Sequence, residues 1–141
     1  MSSENIQFKV DLPARWKETT VYTYQGPDDS GVQHNISLIV DRETTAPDLK
    51  TYAAERRSQL LATLQGIEIL KEEEKTLEGG APAFELVYKW IPVEGTVVYQ
   101  KLLFVLVGRV VCTFSGNFSK KTIKTIGVEF DRIASSFALV D

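Results

Sequence analysis

His34 and Cys112 are the single histidine and the single cysteine of the chain, and a thiol with an imidazole beside it is the smallest constellation here that could do nucleophilic chemistry. Cys112 lies in the apolar run Arg109-Val110-Val111-Cys112-Thr113-Phe114, where a thiol is a small buried hydrophobe and is seldom activated. It can form no internal disulfide. His34 sits beside a loop at the start of a strand, with no second histidine or cysteine cluster to complete a metal site, and reads as an exposed polar side chain. Glu72-Glu73-Glu74 offers carboxylates, but acid–base work needs a desolvated carboxyl in a cleft, and such a run is solvated. Gly79-Gly80 lacks the spaced glycines of a phosphate-binding loop and reads as a turn. Lys120, Lys121 and Lys124 read as the solvated face of a helix. No catalytic residue, metal ligand or cofactor motif emerges, and the chain reads as no enzyme.

The elements that carry these residues belong to one domain. A chain of 141 residues, 43% hydrophobic and 25% charged, is long enough for a single core over 1–141. A net charge of -3 argues against nucleic acid as a partner, which would need a clustered basic surface. Met1-Ser2-Ser3-Glu4-Asn5 shows neither the basic nor the apolar region of a signal peptide. The longest apolar run, Leu102 to Val107, is far short of the roughly 20 residues that span a bilayer. The expectation is a cytoplasmic protein that is not embedded in a membrane.

Alternation predicts a strand around Phe8 and Val10 that ends at Leu12-Pro13, and a second from Thr19 to Tyr24, rich in β-branched and aromatic residues. Gly26 to Gly31 reads as a turn and Asn35 to Val40 as a strand. A helix is expected from Pro47 to Gly66, with Leu49, Tyr52, Ala53, Leu60 and Leu64 as its apolar stripe, Leu61 widening it and Arg56 interrupting it. Ile67 to Lys75, Phe84 to Trp90, Val97 to Val107 and Val110 to Phe114 read as strands joined by turns at Gly79-Gly80, Pro92/Gly95 and Gly108. Ile123, Ile126, Phe130, Ile133 and Phe137 predict a final helix from Ser119 to about Leu139. The class is α+β, with antiparallel neighbours joined by short turns.

The strands between Phe84 and Gly116 are apolar on both faces. A sheet wetted on one side alternates apolar with polar. Two helices are expected to cover about one face, so the cover for the other could be the chain's own helices, a second subunit or a hydrophobic partner.

The chain also resembles a known family. Leu12-Pro13-Ala14-Arg15-Trp16, the Thr19 to Tyr24 strand, the helix beginning near Leu49-Lys50-Thr51-Tyr52, the strand with Tyr88-Lys89-Trp90, and Gly108-Arg109-Val110-Val111 leading into Thr113 are similar to the DcrB-like family. Within it, the likeness is to the effector-associated (Eag) chaperones of type VI secretion, over nearly the whole chain. The resemblance implies a curved antiparallel β-sheet with two main helices of the Mog1/PsbP-like kind, a homodimer, and a hydrophobic concave surface. That surface would hold the N-terminal transmembrane helices of a secreted effector before export.

Carried over position by position, the client-facing surface falls on Val21 and Thr23 of the strand after the tryptophan, with Tyr22 and Tyr24 on the opposite face. On the helix it falls on Arg56, Leu60 and Leu64. On the central strand it falls on Gln100 or Lys101, with Gln100 preferred because an amide both donates and accepts hydrogen bonds. Thr23 is less apolar than the family pattern, and Arg56 stands where the family can have glutamine. Taken alone, Val21, Leu60 and Leu64 also fit an ordinary core, and Arg56 a surface cation laying its stem over apolar neighbours. The competing reading is a closed, monomeric accessory protein or small-ligand binder of the same fold, with both sheet faces covered from within.

Overall fold

The computed structural model describes residues 9–16, 19–29, 32–42 and 48–138. Its strands are β1 (Thr20–Asp29), β2 (Val32–Asp41), β3 (Glu68–Thr76), β4 (Pro82–Val93), β5 (Thr96–Val107) and β6 (Val110–Phe118). Helix α1 (Leu49–Thr63) lies between β2 and β3, and a 3-10 turn (Thr122–Lys124) leads into α2 (Ile126–Ser135). The strands form one sheet in the order β1-β2-β6-β5-β4-β3, antiparallel throughout. β3 to β6 are a meander, β2 docks against β6, and α1 carries the chain from β2 to the far edge.

The surplus apolar face has a cover inside the chain. On β5, Leu102 and Phe104 point towards α1, joined by Leu86 and Tyr88 of β4 and by Leu49, Ala53 and Leu60 of the helix. Leu103 and Val105 point the other way, onto Cys112, Phe114 and Phe118 of β6 and Phe130 and Ala134 of α2. Each helix therefore covers one face, where the sequence had suggested that both would share one. The run Leu102 to Val107 is continuous because its odd and even positions feed two cores. Cys112 is a packed member of the second core, and burial pushes its thiol pKa up.

Local chemistry moved several boundaries. Asp48 caps α1 by accepting the Thr51 N–H at 2.7 Å, a role its type favours. Pro47, expected in that first turn, lies outside the described residues, as does Phe8. Lys9 to Leu12 form no strand, and Val10 and Leu12 are exposed. The stretch read as a turn from Gly26 is mostly strand: Asp28 pairs with Gln33 and Asp29 with Val32, beyond an irregularity between Gln25 and Asp28. A bulge absorbs the turn-forming composition and lets the hairpin continue. Gly66 has φ 67 and turns the chain out of α1, the left-handed conformation glycine adopts without strain.

The last helix is shorter than its periodicity suggested. The Ser119 N–H donates to Thr122 Oγ1 at 2.8 Å and the Thr122 N–H to Ser119 Oγ at 3.1 Å, while the Thr125 N–H bonds the Thr122 carbonyl. These local bonds favour one tight turn over a continuous helix in a segment rich in β-branched residues. The stripe that α2 buries is Gly127, Phe130 and Ala134, whereas Ile133 is exposed.

On the α2 side of β4, Glu85 is buried and its Oε1 lies 2.9 Å from Lys71 Nζ and 3.2 Å from Lys75 Nζ, both on the edge strand β3. Burial alone would raise its pKa, but the two ammonium groups outweigh it and hold it below the ordinary 4.5. A depressed folded-state pKa stabilises the fold fully above the unfolded value and loses that stabilisation as pH falls through the folded one. Glu85→Gln is thus expected to cost about 1–3 kcal/mol at neutral pH. In urea melts, the gap to the native chain should narrow below pH 4.5. A gap constant with pH would show that the charge plays no part.

Candidate functional site

Cross-strand register determines which residues share the face under α1. Val21 pairs with Ile39, Ile39 with Thr113, and Thr113 with Phe104. The adjacent row on that face runs Thr23, Ser37, Ser115, Leu102. Beyond it stand carboxamides, where Gln25 pairs with Asn35 and Gln100 with Asn117. The face thus grades from aliphatic and aromatic through hydroxyl to amide.

α1 lies over β4 and β5, so this face is open towards β2 and β1. The gap is a groove of about 510 Å³. Leu102 and Phe104 form its apolar floor, Thr113 and Ser115 add hydroxyls, Tyr52, Glu55, Arg56 and Gln59 make the helix wall, and Ile39 and Asp41 stand opposite. Tyr52 sets its ring edge-on to Phe104 with centroids 5.5 Å apart, and its hydroxyl donates to Asp41 Oδ2 at 3.0 Å. Burial first and the Asp41 carboxylate second push the Tyr52 pKa up to about 12. The phenol stays protonated and ties the end of β2 to α1.

The residues singled out from sequence divide into two groups. Val21, Thr23 and Gln100 share the groove face, with Val21 51% exposed, and Arg56 stands on the helix wall. Arg56 Nη1 donates to Gln59 Oε1 at 3.2 Å. Gln100 faces the groove side and donates to Asn117 Oδ1 at 2.5 Å. Lys101 faces α2, its Nζ 2.8 Å from Asp131 Oδ2 and 3.3 Å from the Gly127 carbonyl. Tyr22 and Tyr24 lie on the face opposite Val21, as alternation requires.

Leu60 and Leu64 stand apart from the groove. Leu60 is 5% exposed and belongs to the core beneath α1, with half-buried Leu64 packed against it. Their side chains fasten the helix to the sheet. Leu61, expected to widen the stripe, is exposed.

Sequence reasoning missed Ile39, Tyr52, Thr113 and Ser115 as groove residues. The signal was present in Thr113 and Ser115, polar positions alternating with Cys112 and Phe114. It was also present in Tyr52, one turn before Arg56 on the same side of α1.

The possible catalytic groups lie apart. His34 is buried, contrary to the exposed side chain expected, with its ring stacked on Phe118 at 5.9 Å. Cys112 pairs with Val40, and the six residues from His34 to Val40 span about 20 Å of strand. A thiol and an imidazole at that separation cannot act as nucleophile and base. The Glu72-Glu73-Glu74 run is solvent-exposed, as are Lys120, Lys121 and Lys124. Among the described residues, no three histidine, cysteine or carboxylate side chains gather as metal ligands, and no helix is long and apolar enough to cross a membrane.

Against known proteins, the model of the DcrB family matches residues 9–134. No curated protein sequence matches significantly. Among solved structures, PA94 from Pseudomonas aeruginosa is similar over 92% of this chain and 90% of its own, with TM-score 0.77 at 14% identity. The cyanobacterial PsbP protein CyanoP of Synechocystis is similar over 85% and 82%, with TM-score 0.60 at 17% identity. LpqN of Mycobacterium tuberculosis, involved in cell envelope biogenesis, is similar over 85% and 82%, with TM-score 0.57 at 14% identity. The shared fold is PsbP-like: a curved antiparallel sheet with two helices.

Proposed function

The chain belongs to the DcrB family, and from that premise we propose that it is a non-enzymatic adaptor chaperone. It binds and shields the N-terminal transmembrane helices of a type VI secretion effector in the cytoplasm, and aids loading of that effector for export. Family membership and the fold neighbours support an accessory role, and the resemblance to the Eag chaperones supplies the client and the homodimer. The observation that carries the reading is the half-covered face itself. Val21 and Ile39 stand exposed at 51% and 38% beside the apolar floor of the groove. An apolar helix in water aggregates, and each Å² it buries against such a floor is favourable by about 25 cal/mol. Arg56, the hydroxyls of Thr113 and Ser115, and Gln100 meet polar groups on the same helix, which would otherwise go unsatisfied.

One observation favours the closed alternative. β5 is covered on both faces by the chain's own helices, with β4 beneath α1 and β6 beneath α2, and about 510 Å³ lies within the range of small-ligand sites. The two readings separate when the tagged full chain is purified from its native host under secretion-permissive growth. The chaperone reading expects a stoichiometric partner with hydrophobic N-terminal segments, its yield reduced at least about tenfold by Val21→Asp, since a buried unpaired charge costs more than the 1.4 kcal/mol that tenfold represents. Recovery of the chain alone would refute it.

A further inference from the structure

The helix wall of the groove carries a cation that the fold leaves without a counter-charge. Tyr52, Arg56 and Gln59 follow one another at four- and three-residue spacing and so share one side of α1. Arg56 is exposed. Its guanidinium donates to Gln59 Oε1 at 3.2 Å and, among the described residues, enters no ion pair. The next residue, Arg57, is by contrast paired with Glu72 of β3. Two carboxylates line the same groove, and neither pairs with Arg56: Asp41 accepts the Tyr52 hydroxyl at 3.0 Å, and Glu55 is its neighbour in sequence, a spacing at which helical side chains do not face each other. The Arg56 charge also bears on the floor. Burial, joined at Tyr52 by the Asp41 carboxylate, pushes the Tyr52 and Tyr88 phenols up to about 12, and at each the Arg56 cation acts in the opposite direction. Tyr88 is 2% exposed beneath α1 and pairs with Gln100 across the strands.

We propose that Arg56 selects which helix the groove takes: an apolar segment bearing one carboxylate, aspartate or glutamate, on the turn that faces it. The selection rests on the chaperone reading and adds a criterion to it. Arg56 stands where the family can have glutamine, so the charge distinguishes this chain. A helix laid on Leu102 and Phe104 lies against the wall that carries Arg56 and strips water from the guanidinium. A cation covered without a counter-charge is costly, and so is a lone carboxylate in an apolar helix. Each offsets the other when the planar fork meets the carboxylate through two parallel N–H···O bonds. The pair is stronger beside an apolar floor than in water. Gln59, by accepting from Nη1, restrains the fork before the client arrives. Selection therefore works in both directions, favouring the acidic helix and penalising a wholly apolar one.

The test titrates the full chain with synthetic helical peptides of about 20 uniform apolar residues, the length of a bilayer-spanning helix. Each carries lysines at both ends, and they differ in one central residue: aspartate, asparagine or lysine. The uniform sequence lets a peptide slide until its central residue meets Arg56. By calorimetry at neutral pH, the native chain should bind the aspartate peptide about tenfold more tightly than the asparagine peptide, a difference of about 1.4 kcal/mol, and the lysine peptide most weakly. Arg56→Gln keeps a hydrogen-bonding side chain at this exposed position and removes the charge. It should abolish the preference with an unchanged circular dichroism spectrum. Equal affinity of the native chain for the aspartate and asparagine peptides overturns the selection and spares the chaperone, as does a preference that survives Arg56→Gln. A native chain that binds none of the three peptides refutes the chaperone reading and the selection together.

Discussion

Leu60→Asp is expected to cost about 3–5 kcal/mol and to lower the melting temperature by roughly 10–20 °C, whereas Val21→Asp costs less than about 1 kcal/mol. The two were equivalent candidates by resemblance, yet they occupy opposite physical situations. Leu60 is 5% exposed in the core that α1 shares with β4 and β5. A carboxylate there loses the packing of the leucine and brings a charge into an apolar cluster. Val21 is 51% exposed on an edge strand, where an added carboxylate stays in water and the cost is one of strand preference. Against a total stability of about 5–15 kcal/mol, the first change can leave much of the chain unfolded and the second cannot. Val21→Asp is therefore the substitution that reports on binding, and Leu60→Asp the one that reports on folding. Urea titrations of both variants decide it: a Leu60→Asp chain within about 1 kcal/mol of native would mean that α1 rests on the sheet only loosely.

The legible parts of this fold were those where period and neighbour agreed. In β4, large residues at alternate positions, from Phe84 to Trp90, declared one buried face, and that face packs under α1. The Leu102 to Val107 run declared a strand apolar on both sides, and it lies between two cores. Which helix lies on which face was not legible, because an apolar stripe records that it must be buried and not against what. The same ambiguity hid the split among the candidate groove residues. Leu60 and Arg56 are a turn apart on one helix, and a small rotation of α1 decides which of them meets the sheet.

Boundaries failed where side chains compete with the backbone. The Ser119 and Thr122 hydroxyls turned the first part of an expected helix into a 3-10 turn, and a bulge carried β1 through a composition suited to turns. Alternation, once β5 is placed, separates Gln100 from Lys101 without ambiguity. Phe104 and Leu102 face α1, so Gln100 does too, and Lys101 reaches Asp131 on the other side.

Phe130→Ala is expected to cost about 3–5 kcal/mol while leaving the groove intact. Phe130 is 2% exposed and sets its ring edge-on to Phe118, with centroids 5.8 Å apart. The ring enters that deeply because of the residue beneath it: a Cβ at Gly116 would lie 2.9 Å from Phe130 Cδ2, closer than carbon atoms pack. Removing the ring leaves a void bounded by a backbone that cannot follow it inward, so the cavity persists. What then holds α2 is Ala134 and the partly buried Ile126 in the same core, with Lys101 through Asp131 and the Gly127 carbonyl, and small side chains with one ion pair do not replace an aromatic core residue. Because α2 packs on the face opposite the groove, the chaperone reading expects the folded fraction of Phe130→Ala to capture as much effector per molecule as the native chain. Urea melts paired with capture at low temperature read the two effects separately. A cost under about 1.5 kcal/mol would mean that α2 is no firm cover, and that face of the sheet would become the better candidate for a client.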